Sequence, residues 1–339
     1  MTTPKSHRDM YHAAVRYYLQ DETMDSIARD FGVSRSSVSR MLKRARDAGF
    51  VQISVSSPDA GAELAEAIGA AFGVKAHVVA VPAGTGDTER LDRVSRVAAQ
   101  LLGDVMESGH VLGVASGATA AHVAAHVARK PLTDCTVVQC GGDRNPYDAV
   151  AAGTGNALHK LAAAFGADVV AFPMPAFFDH AETKAALWRE SAVRRVLSLR
   201  RRLDVALFGV AALEASPPRQ AFAAASLDAS QRRDLAGQGV VGGVCTVALR
   251  EDGSWRNIAL NARATGLTPA DLASVPVRYC VVADPRCARA IVGALRAGTT
   301  TDLVVDDETA RAVIARARLV LPSGGATDAR VARHAGGAR

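Results

Sequence analysis

The sequence predicts an α/β protein in two parts: a small all-α, winged helix-turn-helix domain, then a larger domain with a mainly parallel sheet under helices. Three observations predict this. Residues 10–47 carry apolar stripes at helical spacing, broken by Gly32-Val33-Ser34. Ser56-Ser57-Pro58-Asp59-Ala60-Gly61 then punctuates the chain as a linker. Beyond it, short β-type apolar runs alternate with helical ones, as in βαβ units.

In the first part, Tyr11, Ala14, Val15, Tyr18 and Leu19 fall on one helical stripe that ends before Asp21. Thr23 is placed to cap a second helix, with Ile27 and Phe31 facing inward. Gly32 supplies a left-handed turn without steric cost, and Ser34 can cap a third helix. There Val38, Met41, Leu42 and Ala45 share one face. Arg35, Ser36, Ser37, Ser39, Arg40, Lys43, Arg44 and Arg46 are left outside it. Between Arg35 and Arg46 stand five basic residues and no acidic one. Small hydroxyl residues at the helix start with cations behind them suit entry into the major groove of double-stranded DNA. The alternative is an ordinary amphipathic helix pair with a solvated basic face. After Gly49, the alternation in residues 50–55 predicts a strand that would serve as a wing.

The larger part opens with a helical pattern over 62–72. Strands are predicted over 77–81, 111–115, 136–139, 168–172, 205–210, 240–249, 279–283 and 303–305. Helical patterns lie between many of them, at 89–106, 119–128, 156–165, 182–202 and 286–297. Ligands of such sheets bind beyond the carboxyl ends of the strands. Two loops fall there: Ser116-Gly117-Ala118-Thr119, which can offer backbone N–H groups and hydroxyls at a helix N-terminus, and Gly141-Gly142-Asp143-Arg144. A plain strand-to-helix turn is the alternative for the first. The divisions are then 1–57 for DNA binding, 58–322 for the parallel-sheet domain, and 323–339 as a disordered tail rich in Gly, Ala and Arg.

Composition narrows the function classes. Hydrophobic residues make up 49% of the 339, which excludes wholesale disorder. The net charge of +6 is too mild for a surface that coats a polyanion. No apolar run is long enough for a membrane span, so a soluble, cytoplasmic protein is expected. Cys135, Cys140, Cys245, Cys280 and Cys287 show no paired spacing and read as reduced, buried thiols. His122 and His126 have metal-ligand spacing but lack a third ligand, so no metal is expected. Arg194-Arg195 with Arg200-Arg201-Arg202 reads as the solvated face and end of a helix, a second nucleic-acid patch being the alternative. No constellation of catalytic residues or cofactor motif stands out, so neither an enzyme nor a cofactor is expected.

Several stretches together resemble the SorC-type (DeoR-related) bacterial transcription regulators, over roughly residues 10–320. They are Tyr17-Tyr18-Leu19, Ile27-Ala28, the run from Gly32 to Leu42, Ala45-Arg46 and Gly49-Phe50-Val51 in the first part. In the second they are Gly113 to Thr119, Asp204 to Gly209, Gly239-Val240-Val241-Gly242, Ala290-Ile291 and Ala294-Leu295-Arg296. The resemblance implies a second domain with the sugar-phosphate isomerase/deaminase fold, used as a sensor. It also implies an oligomer, dimer or tetramer, that binds operator DNA and answers to a small sugar, polyol or phosphosugar. The chain departs from the family where a Gly-Gly-x-x-Lys motif is usual, having Ala283-Asp284-Pro285-Arg286-Cys287. Cys287 thus stands for the lysine that would face a phosphate, leaving Arg286 or Arg289 to substitute. Gly243 replaces a usual acidic residue, and Ser116 a usual aromatic. The rival reading is a sugar-phosphate isomerase/deaminase-like enzyme fused to a DNA-binding module.

Overall fold

A computed structural model of the protein describes residues 4–18, 20–47, 58–143, 154–213 and 227–321. The chain divides into two compact units, Met1–Ser56 and Ser57–Arg339. The predicted wing and the predicted tail lie outside the described residues.

The first unit holds three helices: α1 (Pro4–Tyr18), α2 (Met24–Phe31) and α3 (Arg35–Asp47). Thr23 caps α2 by accepting the Ser26 N–H at 3.2 Å. Gly32, at φ +63°, closes it in the left-handed region. The Ser34 hydroxyl accepts the Ser37 N–H at 3.2 Å to open α3. The core is Met10, Ala13, Ala14, Ile27, Ala28, Val38, Leu42 and Ala45. The stripe expected on α1 is rotated by one residue: Tyr11 is 53% exposed, and Met10 and Ala13 are buried instead. Ala13 and Ala14 are small enough to let α3 approach closely, so the alanines rather than the larger ring set the packed face. Arg16 braces α1 to the start of α2, its Nε donating to Glu22 at 2.7 Å.

The second unit contains α4 (Pro58–Phe72), β1 (Lys75–Val79), α5 (Asp87–Val105), β2 (Val111–Val114), α6 (Ala118–His126), β3 (Thr136–Gln139), α7 (Thr154–Phe165) and β4 (Asp168–Val170). After these come α8 (Ala181–Leu187), α9 (Ser191–Arg200), β5 (Val205–Phe208), β6 (Val210–Ala212), α10 (Ala229–Gly237), β7 (Val240–Val244) and β8 (Val247–Arg250). The last elements are α11 (Pro269–Ala273), β9 (Val277–Val282), α12 (Ala288–Arg296), β10 (Asp302–Asp306) and α13 (Asp307–Ala317).

Among the described residues, seven strands form one sheet in the order β1-β10-β9-β5-β2-β3-β4, and every adjacent pair is parallel. Such strands are apolar on both sides because both faces are covered. One face packs α4, α12 and α13 through residues such as Ile68, Ile291 and Val313. The other packs α5, α6 and α7 through Leu102, Val123 and Leu161.

Three predicted elements are divided in the structure. The apolar run 205–210 leaves the parallel sheet at Gly209 and enters a separate antiparallel sheet, β6-β7-β8. The run 240–249 is a hairpin rather than one strand, turning at Cys245 and Thr246 with φ +45° and +70°. Turns with two positive φ values favour Asn-Gly or Gly-Gly, so this pair carries no turn signal. The helix over 182–202 breaks between Leu187 and Ser191, where the Trp188 ring packs edge-on against Phe172 and Phe178.

A buried ion pair ties α5 to the joint between β10 and α13. Arg90 donates to Asp306 at 2.8 Å and meets the exposed Glu308 at 2.6 Å. Asp306 also caps α13 through the Thr309 N–H at 3.0 Å. Removing one partner strands the other charge in the core. Asp306→Ala is expected to lower the unfolding free energy by about 3–5 kcal/mol, and Glu308→Ala by at most about 1 kcal/mol. Urea unfolding of the two variants checks the difference; equal losses would contradict it.

Candidate functional site

The exposed face of α3 is the first candidate. Arg35, Ser36, Ser39, Arg40, Lys43, Arg44 and Arg46 are exposed, and Ser37 is half-buried. The helix start is ordered by its own hydroxyls: Ser34 Oγ lies 2.9 Å from both Ser36 Oγ and Ser37 Oγ. Arg40 folds back over this turn, Nε donating to the Ser36 carbonyl at 3.3 Å and Nη2 to Ser37 Oγ at 3.4 Å. Arg35 stands 3.8 Å from Asp25, with both side chains exposed. Such a pair contributes little stability and is easily exchanged for another anion.

The second candidate is at the carboxyl ends of β2 and β3, which lie side by side. Gly117, at φ +146°, turns the chain from β2 into α6. Ser116 Oγ accepts from Gln139 Nε2 at 3.2 Å, and Gln139 Oε1 accepts the Phe172 N–H at 2.9 Å. Thr119 sits over the end of β5, where a Cβ on Gly209 would come within 2.8 Å of its hydroxyl. Gly141 and Gly142 are buried, and Asp143 is half-buried. The Asp143 N–H donates to the Met174 carbonyl at 3.0 Å.

Thr265, fully buried, joins this loop to its surroundings. Its hydroxyl accepts the Gly142 N–H at 3.0 Å and donates to the Pro175 carbonyl at 2.8 Å. Its own N–H reaches the Ala176 carbonyl at 3.1 Å. Only glycine fits at this crossing: a Cβ on Gly142 would fall 2.1 Å from the Met174 carbonyl oxygen.

Ser116 to Thr119 and Gly141 to Asp143 therefore belong to one edge of the sheet. Arg286 and Arg289, the expected substitutes for a phosphate-facing lysine, are engaged by carboxylates instead. Arg286 Nε donates to Asp284 at 2.8 Å, and its Nη2 reaches Asp87. These partners hold the Arg286 guanidinium more firmly protonated than an isolated arginine. Arg289 meets Glu251 at 3.2 Å, a carboxylate shared with Arg316. Cys287 is buried in the core, its Sγ 3.8 Å from Asp284 Oδ2.

Arg200 corrects the reading of its arginine run as a solvated face. It is only 5% exposed, whereas Arg194, Arg195, Arg201 and Arg202 are exposed. Both terminal nitrogens donate to the Thr265 carbonyl at 3.1 Å. Its Cζ lies 5.0 Å from the centre of the Phe172 ring. Gln139, Thr265 and Phe172 carry no sequence signal of this role, whereas Arg200 stands within the arginine run, where its helical spacing from the buried Val193 marks it as the inward-facing member.

Elsewhere, His126 Nε2 pairs with Asp92 at 2.5 Å. Among the described residues no group of three or more His, Cys, Asp or Glu is placed to hold a metal ion. Among them also, no helix is long and apolar enough to cross a membrane. The five cysteines are buried, and burial pushes the thiols of Cys140 and Cys280 up to about 12.

Comparison with known proteins adds to this geometry. A family model described as "Putative sugar-binding domain" matches residues 57–315. The crystal structure of a domain of a "possible sugar-binding transcriptional regulator" from Arthrobacter aurescens TC1 is 39% identical, with a TM-score of 0.71. That match covers 77% of this chain and all of that domain. The deoxyribonucleoside regulator of Bacillus subtilis is 28% identical over 308 residues, 89% of this chain and 96% of the relative. The full-length sorbitol operon regulator SorC of Klebsiella pneumoniae shares the fold, with 21% identity and a TM-score of 0.68 over 91% of this chain and 99% of that one.

The Thr265 contacts generate a stability prediction. Thr265→Val leaves the buried Gly142 N–H without an acceptor and is expected to cost about 1–3 kcal/mol, while Thr265→Ser keeps most of that stability. Urea unfolding measures both. A valine variant as stable as the serine variant would show that the hydroxyl is dispensable.

Proposed function

The chain belongs to the SorC-type, DeoR-related regulator family defined by this sugar-binding domain, and from that membership we propose a sequence-specific transcription regulator whose operator affinity is set by a small carbohydrate-type metabolite. The observation that carries the DNA-binding half is the face of α3: every cation from Arg35 to Arg46 is exposed, behind a turn of serines. A helix of this width and charge fits the major groove of double-stranded DNA. Arg35, Ser36, Ser37, Ser39 and Arg40 stand where base edges would be met. Lys43, Arg44 and Arg46 are placed for phosphates, which fix register rather than sequence. Arg40, held over the first turn by Ser36 and Ser37, is the strongest candidate for a guanine fork.

One copy of α3 spans only a half-site, so a dimer or tetramer is expected, assembled through the larger domain. The effector enters at the strand-end loops, contacted by Ser116, Gly117, Ala118, Thr119, Gly141, Gly142 and Asp143. Arg286 and Arg289, paired with carboxylates, remain secondary candidates for the same effector. The metabolite acts by binding two arrangements of the oligomer with different affinity; without that difference it shifts nothing. No cofactor or catalytic step is required, and the protein works in the cytoplasm, where its DNA is.

Fluorescence anisotropy on operator and random duplexes tests the division of labour on α3. Arg40→Ala is expected to lose about 1–3 kcal/mol on the operator and little on random DNA. Lys43→Ala is expected to weaken both alike and to flatten the salt slope by about one unit. Parallel losses for the two variants on both duplexes would contradict the assignment.

A further inference from the structure

Two cations lie at the aromatic cluster beside the strand-end loops, and neither has a carboxylate within 4 Å among the described residues. Arg200 is nine-tenths buried, and its hydrogen bonds go to one neutral acceptor, the Thr265 carbonyl. Its Nε is buried with no partner among the described residues. Lys184, half-buried on α8, has its Nζ 5.4 Å from the centre of the Trp188 ring. Trp188 in turn packs edge-on against Phe172, whose ring carries Arg200. Asp271 acts on both cations only from a distance, and its Oδ2 is committed to the Thr268 N–H and hydroxyl. Burial first, and Arg200 second, hold the Lys184 ammonium below its ordinary range.

A guanidinium out of water without a counter-charge is costly, and a ring face with one carbonyl offsets only part of that cost. A second cation nearby adds repulsion that a neutral ligand would leave in place. The cluster also adjoins the loops already described. The Thr265 carbonyl that takes Arg200 belongs to the residue that holds Gly142, and Gln139 links the Phe172 N–H to Ser116.

We propose that Arg200 and Lys184, flanking Phe172 and Trp188, form a subsite for an anionic group, phosphate or carboxylate, on the effector. The proposal rests on the effector reading above and moves the charge-recognising residues away from Arg286 and Arg289. The aromatic pair walls the subsite, and the unused N–H groups of Arg200 and the ammonium of Lys184 donate to the anion.

Thermal unfolding and calorimetric titration of the full chain test this, with inorganic phosphate, gluconate, neutral glucose, and chloride at matched ionic strength. The expected result is a saturable rise in Tm with phosphate or gluconate and none with chloride; the anion that saturates at lower concentration identifies the group. Lys184→Met is expected to weaken that binding about tenfold or more. Arg200→Met removes an uncompensated charge, so it should abolish the response while Tm without anion stays level or rises. No saturable response to either anion, or one that Lys184→Met leaves unchanged, overturns the proposal. An Arg200→Met variant with reduced Tm and an intact anion response does so too, since it marks a purely structural arginine. If anions fail while neutral glucose alters DNA affinity, the regulator reading survives without this subsite. If anions bind and no ligand alters DNA affinity, the subsite survives and the effector reading falls.

Discussion

The hydroxyl, N–H and carbonyl of Thr265 hold four pieces of chain in one place: the Gly142 loop, the segment at Pro175 and Ala176, their own strand-like link at 264–266, and the end of α9 through Arg200. Buried polar networks of this kind specify one arrangement when every member is satisfied and are costly when one is not. Glycine is required around it because the backbones touch. A Cβ on Gly266 would lie 1.5 Å from the Cys245 carbonyl oxygen, as impossible as one on Gly142. The loop after β3 is thereby tied to three other segments rather than left as a free turn, and the loop after β2 joins it through Gln139 and Ser116.

Charge is used in two different ways in the two units. On α3 the cations point to solvent, and Arg35, the one that meets an acid among the described residues, is only loosely held by Asp25. They are available to a phosphate backbone at little cost. In the large unit Arg90, Arg286, Arg289 and Arg316 all meet carboxylates, so their charge is locally balanced and serves the joints between elements. Arg200 fits neither pattern, being buried and bonded to a carbonyl alone. That contrast separates arginines balanced by a carboxylate from one whose hydrogen bonds, among the described residues, reach only a carbonyl.

The first unit was largely legible in sequence because its signals are local. Thr23, Gly32 and Ser34 do the capping and turning expected of them, and Val38, Leu42 and Ala45 form the buried face. The stripe on α1 was misplaced because alternation of size, not hydrophobicity alone, decides which face packs. In the large unit the parallel order of strands and the two strand-end loops follow from βαβ alternation, which is also local. The antiparallel sheet does not: Cys245 and Thr246 adopt positive φ, residue types that carry no turn signal within the β-type stretch 240–249. Thr265 and Arg200 were hidden for a similar reason. Their partners lie 123 and 65 residues away along the chain, so helical spacing can mark Arg200 as inward-facing but cannot name what it meets.

The most direct measurement is the affinity of the full-length protein for duplexes tiling the DNA that flanks its own gene, with and without a panel of sugars, polyols and phosphosugars. The expected result is tight, salt-dependent binding to one tile, with a half-site repeat protected in footprinting and an affinity that at least one compound changes tenfold or more, about 1.4 kcal/mol of coupling. Binding of equal strength to every tile, unmoved by any compound, would contradict it.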